Sequence, residues 1–211
     1  MRRIRNFRHL NLGQLIDFSS TVFFGLLKSL QIRYEILKLL QILDSVKPKY
    51  IVEIGTAYGG SLFLFCRVSS PDAIVVSVDL PGGRFGGGYS GLRTLIYKSF
   101  ALRNQQLYLL RANSHHEGTL ERVKSLLGGN KVDFLFIDGD HTYEGVKKDF
   151  AMYKSLVRKG GIIAFHDIAV HLPESGCEVS RFWNEIKSKY MYEEIIESRN
   201  QRGFGIGVIF K

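Results

Sequence analysis

The stretch Tyr50-Ile51-Val52-Glu53-Ile54-Gly55-Thr56-Ala57-Tyr58-Gly59-Gly60-Ser61 decides how this chain is read. Residues 50–54 form an apolar, β-branched run of strand length, as a buried parallel strand requires. A turn punctuated by glycine at 55, 59 and 60 follows, and residues 61–66 read as the start of a helix. Glycine lets the backbone turn tightly and lets a ligand approach it closely. The helix N-terminus just beyond supplies free N–H groups. Strand, glycine turn and helix in that order is how doubly wound sheets bind a nucleotide-like cofactor. The spacing is not that of a dinucleotide fingerprint, because G-x-G-x-x-G needs glycine at 57 and that residue is alanine. Instead Glu53 stands two residues ahead of the first glycine, giving E-x-G-x-x-x-G.

Working outward toward the C-terminus, Pro71-Asp72 make a turn and residues 73–78 a second buried strand that ends at Asp79. An acid at the tip of the strand after a glycine loop is well placed to accept both ribose hydroxyls of a nucleoside. Residues 82–91 contain six glycines interleaved with Arg84, Phe85 and Tyr89. Such a segment is no rigid element, and it reads as a loop that closes over substrate, with a merely flexible connection as the alternative. A helix over 92–102 and a short strand over 107–110 come next. Ser114 and Glu117 fit a capping box, and by position Asn113, Ser114 and His115 also border the nucleoside base. Gly128-Gly129 ends the capped helix.

The second informative stretch is Val132-Asp133-Phe134-Leu135-Phe136-Ile137-Asp138-Gly139-Asp140-His141-Thr142. Its strand delivers Asp138, Asp140 and His141 together to the C-terminal edge of the sheet, and Thr142 caps a helix over 143–157. Lys159-Gly160-Gly161 turns the chain into a fifth strand, residues 162–165, which brings His166 and Asp167 to the same edge. Isolated loop carboxylates and histidines are usually solvated or capping. Two adjacent strand tips that converge beside a cofactor motif are a stronger signal.

With these stretches in place the chain resembles the class I S-adenosylmethionine (SAM)-dependent methyltransferases. Within them it is similar to the group with catechol-type and macrolide-sugar O-methyltransferases and the cephalosporin hydroxylase-like proteins. The resemblance covers roughly residues 48–170. It implies an α/β fold: a Rossmann-like, doubly wound, mostly parallel seven-stranded sheet with a closing antiparallel strand, preceded by N-terminal helices. It also implies a cofactor site for SAM. Glu53, Gly55, Thr56, Ala57, Tyr58, Gly59 and Ser61 form its turn, Asp79 and Leu80 lie at the ribose, Ser114 and His115 at the adenine, and Asp138 at the methyl-donor end. In metal-dependent members the Asp138 position and the 166–167 pair bind a divalent ion, which carries over as Asp138, His166 and Asp167. In the sugar methyltransferases a histidine at the His141 position is the base, so the catalytic pair implied here is His141 and Asp138. Histidine at 166 departs from the family's oxygen ligand. Magnesium prefers oxygen, whereas imidazole suits manganese, iron or zinc better, so magnesium and manganese both stay open.

Residues 12–46 read as one or two helices, with Ile32, Ile36, Leu39, Leu40 and Leu43 on one face and Phe18, Val22, Phe23, Leu26, Leu27 and Leu30 on another. The domain reading is a helical cap over 1–47 and a methyltransferase domain over 48–211. A homodimer contact or a substrate lid is the alternative use of the cap. Trp183 sits in a helix over 180–190, and residues 191–197 and 204–210 read as the last two strands, the final one weakened by Gly205 and Gly207.

The net charge is +9, four of it from Arg2, Arg3, Arg5 and Arg8. Such an arm suits nucleic acid, an anionic membrane surface or an acidic substrate, and the alternative is a frayed, solvated terminus. The apolar run at 22–27 is too short for a membrane span. Cys66 and Cys177 form no redox or metal spacing, consistent with reduced thiols in a cytoplasmic protein. The expected partner is a small-molecule hydroxyl acceptor. A nucleic-acid methyltransferase is the rival class, yet the fourth strand tip reads Asp138-Gly139-Asp140-His141 rather than Asp/Asn-Pro-Pro-Tyr/Phe. A nonmethylating nucleotide-binding protein of the cephalosporin hydroxylase-like kind is the other rival.

Overall fold

The computed structural model describes residues 10–21, 27, 29–83, 85 and 88–211. Seven strands form one sheet: β1 (Tyr50–Ile54), β2 (Ile74–Asp79), β3 (Gln106–Arg111), β4 (Val132–Ile137), β5 (Val157–His166), β6 (Met191–Ile195) and β7 (Ile206–Phe210). Among the described residues seven α-helices cover it: α1 (Leu12–Thr21), α2 (Arg33–Val46), α3 (Gly60–Val68), α4 (Gly91–Lys98), α5 (Glu117–Leu126), α6 (Tyr143–Tyr153) and α7 (Val179–Ile186). The strand order is β3-β2-β1-β4-β5-β7-β6, parallel from β3 to β5, with β7 antiparallel to both of its neighbours. This is the doubly wound sheet with a reversed closing strand that the sequence implies.

Strand pleating explains the near-continuous apolar runs. Ile51, Phe134 and Phe136 join a core with α1, α2 and α3, while Val52, Ile54, Leu135 and Ile137 face the opposite core with α6 and α7. Helix α3 is buried at every position except Arg67 because it lies between the sheet and the two N-terminal helices.

The described residues of 12–46 hold two helices, α1 and α2. Both contribute to the first core, with Leu15 and Ile16 from α1 and Ile36, Leu39, Leu40 and Leu43 from α2. The basic arm of Arg2, Arg3, Arg5 and Arg8, and Val22, Phe23 and Leu26 of the second apolar face, lie outside the described residues. Glu35 of α2 is fully buried and accepts hydrogen bonds from the Gly205 N–H (2.9 Å) and Gln201 Nε2 (2.7 Å), which ties α2 to the turn before β7. Among the described residues no helix is long and apolar enough to cross a membrane.

Several boundaries differ from the sequence reading. Helix α4 stops at Lys98 instead of 102, and Gln105 holds the following turn by accepting from the Leu102 N–H and donating to the Cys66 and Ser70 carbonyls. Helix α6 ends at Tyr153, four residues early, and β5 begins at Val157, with a bulge that pairs Val132 with Val157 but Phe134 with Ile162. Strand β7 starts at 206 because Gly203, Phe204 and Gly205 all have positive φ (80°, 60° and 82°), a turn rather than a strand.

Gly207 belongs inside β7 for a steric reason. A Cβ there would lie 2.7 Å from the ring of Trp183, which is buried against it. Gly207→Ala is therefore expected to cost about 1–3 kcal/mol of stability through overpacking. Denaturant unfolding checks this, and an unchanged midpoint would show that the ring yields freely.

Candidate active site

Strand tips β1 and β4 meet where Gly55 turns away with φ +88°. A Cβ on Gly55 would sit 1.9 Å from the Asp138 carbonyl oxygen, so only glycine allows this approach. The tips are locked by hydrogen bonds from Gly55 N–H to the Val78 carbonyl (2.9 Å) and from Asp138 N–H to the Ile54 carbonyl (2.8 Å). Ala57, the residue that departs from a dinucleotide motif, also has positive φ, 42°. It is pinned on both sides: its N–H donates to Asp79 Oδ2 (2.9 Å) and its carbonyl accepts from the Tyr97 hydroxyl (2.8 Å). External bonds of this kind are what hold a non-glycine residue in a strained conformation.

Glu53 does not reach the groove above this turn. It is fully buried beneath it, accepts from Ser61 Oγ (2.7 Å), and lies against the hydrogen-bonded Thr56 and Ser77 hydroxyls. Burial pushes its carboxyl up to about 8, with the hydroxyl contacts opposing. Gly59 likewise serves structure, as the left-handed residue just before α3.

Two adjoining cavities run along the strand tips and share Gly55, Asp79, Phe85 and Gly139. The first, about 330 Å³, is also lined by Leu80, Asn113, Ser114, His115, Asp140 and Thr142. The second, about 350 Å³, takes in Thr56, Ala57, Tyr58, Ser61, Asp138, His141, His166 and Asp167, together with Gln31, His171 and Phe204. The groove thus brings together every cofactor residue expected from sequence except Glu53 and Gly59. Asp79 is buried between the cavities and accepts from the N–H groups of Ala57 and Gly88 (3.1 Å). Burial raises its pKa, and those backbone donors oppose the rise. Phe85 of the glycine-rich segment stacks on His141 with centroids 4.9 Å apart, whereas Arg84, Gly86 and Gly87 lie outside the described residues.

The capping box at Ser114 and Glu117 does not form. Helix α5 begins at Glu117 after His116, and among the described residues no side chain caps it. Asn113 Oδ1 instead accepts from the His115 N–H (2.8 Å), a local turn that competes with capping and leaves Ser114 and His115 on the cavity wall. His115 Nε2 lies 3.3 Å from Asp149 Oδ1, a fully buried carboxylate on α6. That close carboxylate raises the His115 pKa against the opposing effect of burial. Thr142 caps α6 as expected, accepting from the Gly145 N–H at 3.0 Å. Asp140 is spent locally, accepting from the Thr142 N–H and hydroxyl.

Asp138, His166 and Asp167 present donor atoms that all lie within 4.8 Å of one another. His166 Nδ1 is 3.1 Å from Asp138 Oδ1 and 3.4 Å from Asp167 Oδ2. His141 Nδ1 is 2.8 Å from Asp167 Oδ2, and its Nε2 is 3.6 Å from Asp138. Asp167 holds φ +64° because its other oxygen accepts from His171 Nε2 (3.0 Å) and the Phe204 N–H (3.2 Å). Burial by itself lowers the pKa of His141, but the Asp167 bond, the Cys177 contact and the charges of Asp138 and Asp167 carry it up to about 11. The same contest, with Asp138 and Asp167 prevailing over burial, takes His166 up to about 10. Burial would raise Asp167, yet the three surrounding imidazoles hold it well below the usual carboxylate range.

Gln31, His171, Cys177 and Asp149 belong to this neighbourhood but not to the sequence-derived site. Gln31 Nε2 donates to Asp138 Oδ2 (2.8 Å), and its Oε1 accepts from the Ser29 hydroxyl. Nothing local marks Gln31, which arrives from 107 residues away. His171, four residues past Asp167, carries no local signal as a partner of that acid.

The sheet order and the groove at the parallel strand tips define the class I SAM-dependent methyltransferase fold. A family described as a methyltransferase domain matches residues 52–168, more than half of the sequence, and the chain belongs to that family. A curated protein of Sinorhizobium fredii, uncharacterized, is 30% identical over 148 residues, covering 69% of this chain and 16% of its own length. An uncharacterized protein of Acanthamoeba polyphaga mimivirus is 34% identical over 116 residues, covering 55% of this chain and 50% of its own. The chain therefore spans half or less of the curated relatives it matches. Among solved structures, an O-methyltransferase from Bacillus cereus in complex with SAH superposes with TM-score 0.59 at 19% identity, covering 100% of this chain and 96% of that one. The MycE methyltransferase of the mycinamycin biosynthetic pathway, in complex with Mg, SAH and mycinamycin VI, gives TM-score 0.60 at 16% identity, covering 97% of this chain and 55% of its own.

Glu53 makes a pH test of the turn. Its folded pKa of about 8 lies above the reference value of 4.5, so the folded state binds the extra proton between them. Its contribution is complete below pH 4.5 and is lost as pH rises through 8. Thermal unfolding across that window should show Glu53→Gln losing less stability than wild type toward high pH, and parallel curves would mean that Glu53 stays ionised.

Proposed function

We propose that this chain is an O-methyltransferase that uses SAM and a divalent ion to methylate a hydroxyl group of a small molecule. The observation that carries this reading is one groove with a buried ribose-type acid, Asp79, at its middle and the Asp138–His141–His166–Asp167 cluster at one end. The solved relatives with SAH, and MycE with Mg, support it.

The residues fit the cofactor. The combined cavity volume is in the range of small-molecule sites, and the glycine turn ends at the α3 N-terminus, where backbone N–H groups are free to meet an anionic group. Asp79 would hold the ribose, with Leu80, Ser114 and His115 along the base. The donor set also fits a cation: two carboxylates and one imidazole, whose Nδ1 faces both acids. That mixture of oxygen and nitrogen suits manganese better than magnesium.

SAM supplies an electrophilic methyl group, and the cation supplies Lewis acidity that lowers the pKa of an acceptor hydroxyl. The chain orients the partners for in-line transfer. Asp138 lines the second cavity, and Gln31 fixes the direction of its carboxylate. His141 lines the acceptor end beneath Phe85 and takes the hydroxyl proton. This role requires neutral imidazole, and Asp138 and Asp167 no longer hold its proton once they are committed to a cation. Tyr58 and Phe204, both exposed on the rim of this cavity, offer apolar surface to the acceptor body.

Calorimetric titration with SAM or SAH should show binding, and Asp79→Ala should weaken it by about 1–3 kcal/mol, the cost of unpaired hydroxyl contacts. Equal affinity in the mutant would remove Asp79 from the ribose. In a methyl-transfer assay over a panel of hydroxyl acceptors, a chelator should abolish turnover while SAM binding persists, with manganese restoring more than magnesium. His141→Ala should lower turnover by about 10²–10⁴-fold, the usual worth of a general base. Full activity in chelator would exclude the cation, and wild-type turnover in His141→Ala would exclude the base.

A further inference from the structure

We propose that His141, Asp167 and Cys177 form a second metal site, selective for a thiophilic ion of the zinc class, whose occupation withdraws His141 from the groove. One nitrogen, one carboxylate oxygen and the Cys177 sulfur lie within 4.8 Å of one another, separate from the Asp138–His166–Asp167 set except for the shared Asp167.

The arrangement is built by backbone rather than by side-chain chance. The Glu178 N–H donates to the His141 carbonyl at 2.7 Å, which seats the loop before α7 directly on the His141 loop. The Cys177 N–H donates to Ser175 Oγ at 3.1 Å, fixing the next residue along. Asp167 Oδ1 is occupied by His171 and the Phe204 N–H, so Oδ2 is the oxygen turned toward His141 Nδ1, 2.8 Å away. Two loops, β4–α6 and β5–α7, thus hold three donors around one point, and the half-buried His141 lines the groove from which an ion would approach.

Donor chemistry selects the ion. A thiolate, an imidazole and a carboxylate make a three-ligand set with room for a fourth, the pattern of open zinc sites. Magnesium takes oxygen ligands and sheds water reluctantly, so this triad does not compete for it. With metal–nitrogen and metal–oxygen bonds of about 2.0–2.1 Å, tetrahedral donors stand about 3.3 Å apart, so the His141–Asp167 pair needs to open by only about half an ångström. The thiol proton and the proton between His141 and Asp167 leave to solvent on binding. The inhibitory consequence rests on the reading of His141 as the base; the site itself does not.

Cadmium is the direct probe, because a thiolate-bound cadmium ion absorbs in the ultraviolet through ligand-to-metal charge transfer. The purified chain should develop that band to one equivalent of cadmium. Cys177→Ala and Cys177→Ser should abolish it, and His166→Ala should retain it. Cys66 cannot supply the band, since it is buried in α3 and burial pushes its thiol up to about 12. Circular dichroism of the two cysteine variants checks that they remain folded. No band in wild type, or a band that survives both cysteine substitutions, would overturn the site. In the methyl-transfer assay with saturating manganese, half-inhibition by zinc should move at least tenfold upward in Cys177→Ser, and equal inhibition would overturn the regulatory consequence. If no acceptor is methylated at all, the proposed function fails while the absorption band still decides the metal site.

Discussion

The approach of the Gly55 backbone to the Asp138 carbonyl sets the geometry on which the rest of the groove depends. With no side chain between them, β1 and β4 run in register to their tips, Ile54 beside Ile137, and then part. The glycine turn leaves on one side and the Asp138 loop on the other. Any Cβ at position 55 would strike the carbonyl and pry the tips open. One close contact therefore joins the glycine turn to an acid cluster that belongs to a different strand, as switch-point sites of open α/β sheets require.

Asp167 plays the corresponding part in the electrostatics. It is buried, sits in a left-handed conformation, and is shared by His141, His166 and His171. Burying one carboxylate among three imidazoles is tolerable because each partner satisfies a desolvated oxygen. The same sharing makes Asp167 common to both candidate metal triads. Under the proposed function, histidine protonation and cation binding are alternative ways to balance the charge of Asp138 and Asp167, which would couple the protonation state of His141 to the metal.

The N-terminal helices are more than a cover. Glu35 bonds to the turn before β7, and Gln31, at the entrance to α2, bonds to Asp138. Residues 29–31, just ahead of α2, thereby touch the groove floor while α2 itself packs in the core. Positioning of Asp138 thus depends on the packing of the N-terminal helices as well as on β4.

Local sequence determined a good deal of this protein. The apolar runs, the E-x-G-x-x-x-G turn, the acids at strand tips and the Thr142 cap place every strand and most groove residues, because parallel strands and helix starts are encoded by neighbouring residues. What needed the tertiary structure falls into two kinds. Element ends depended on distant or competing partners: Gln105 shortens α4, the Asn113 turn displaces the Ser114 cap, and the bulge lengthens β5. Side-chain partnerships across long separations carry no local signal, since Gln31 and Asp138, His115 and Asp149, or His141 and Cys177 become neighbours only when the sheet brings its loops together. Glu53 shows the boundary best. Its spacing from Gly55 was readable, but its place beneath the turn followed from the pleat, which points residue 53 toward Ser61 on α3 and not toward the ligand.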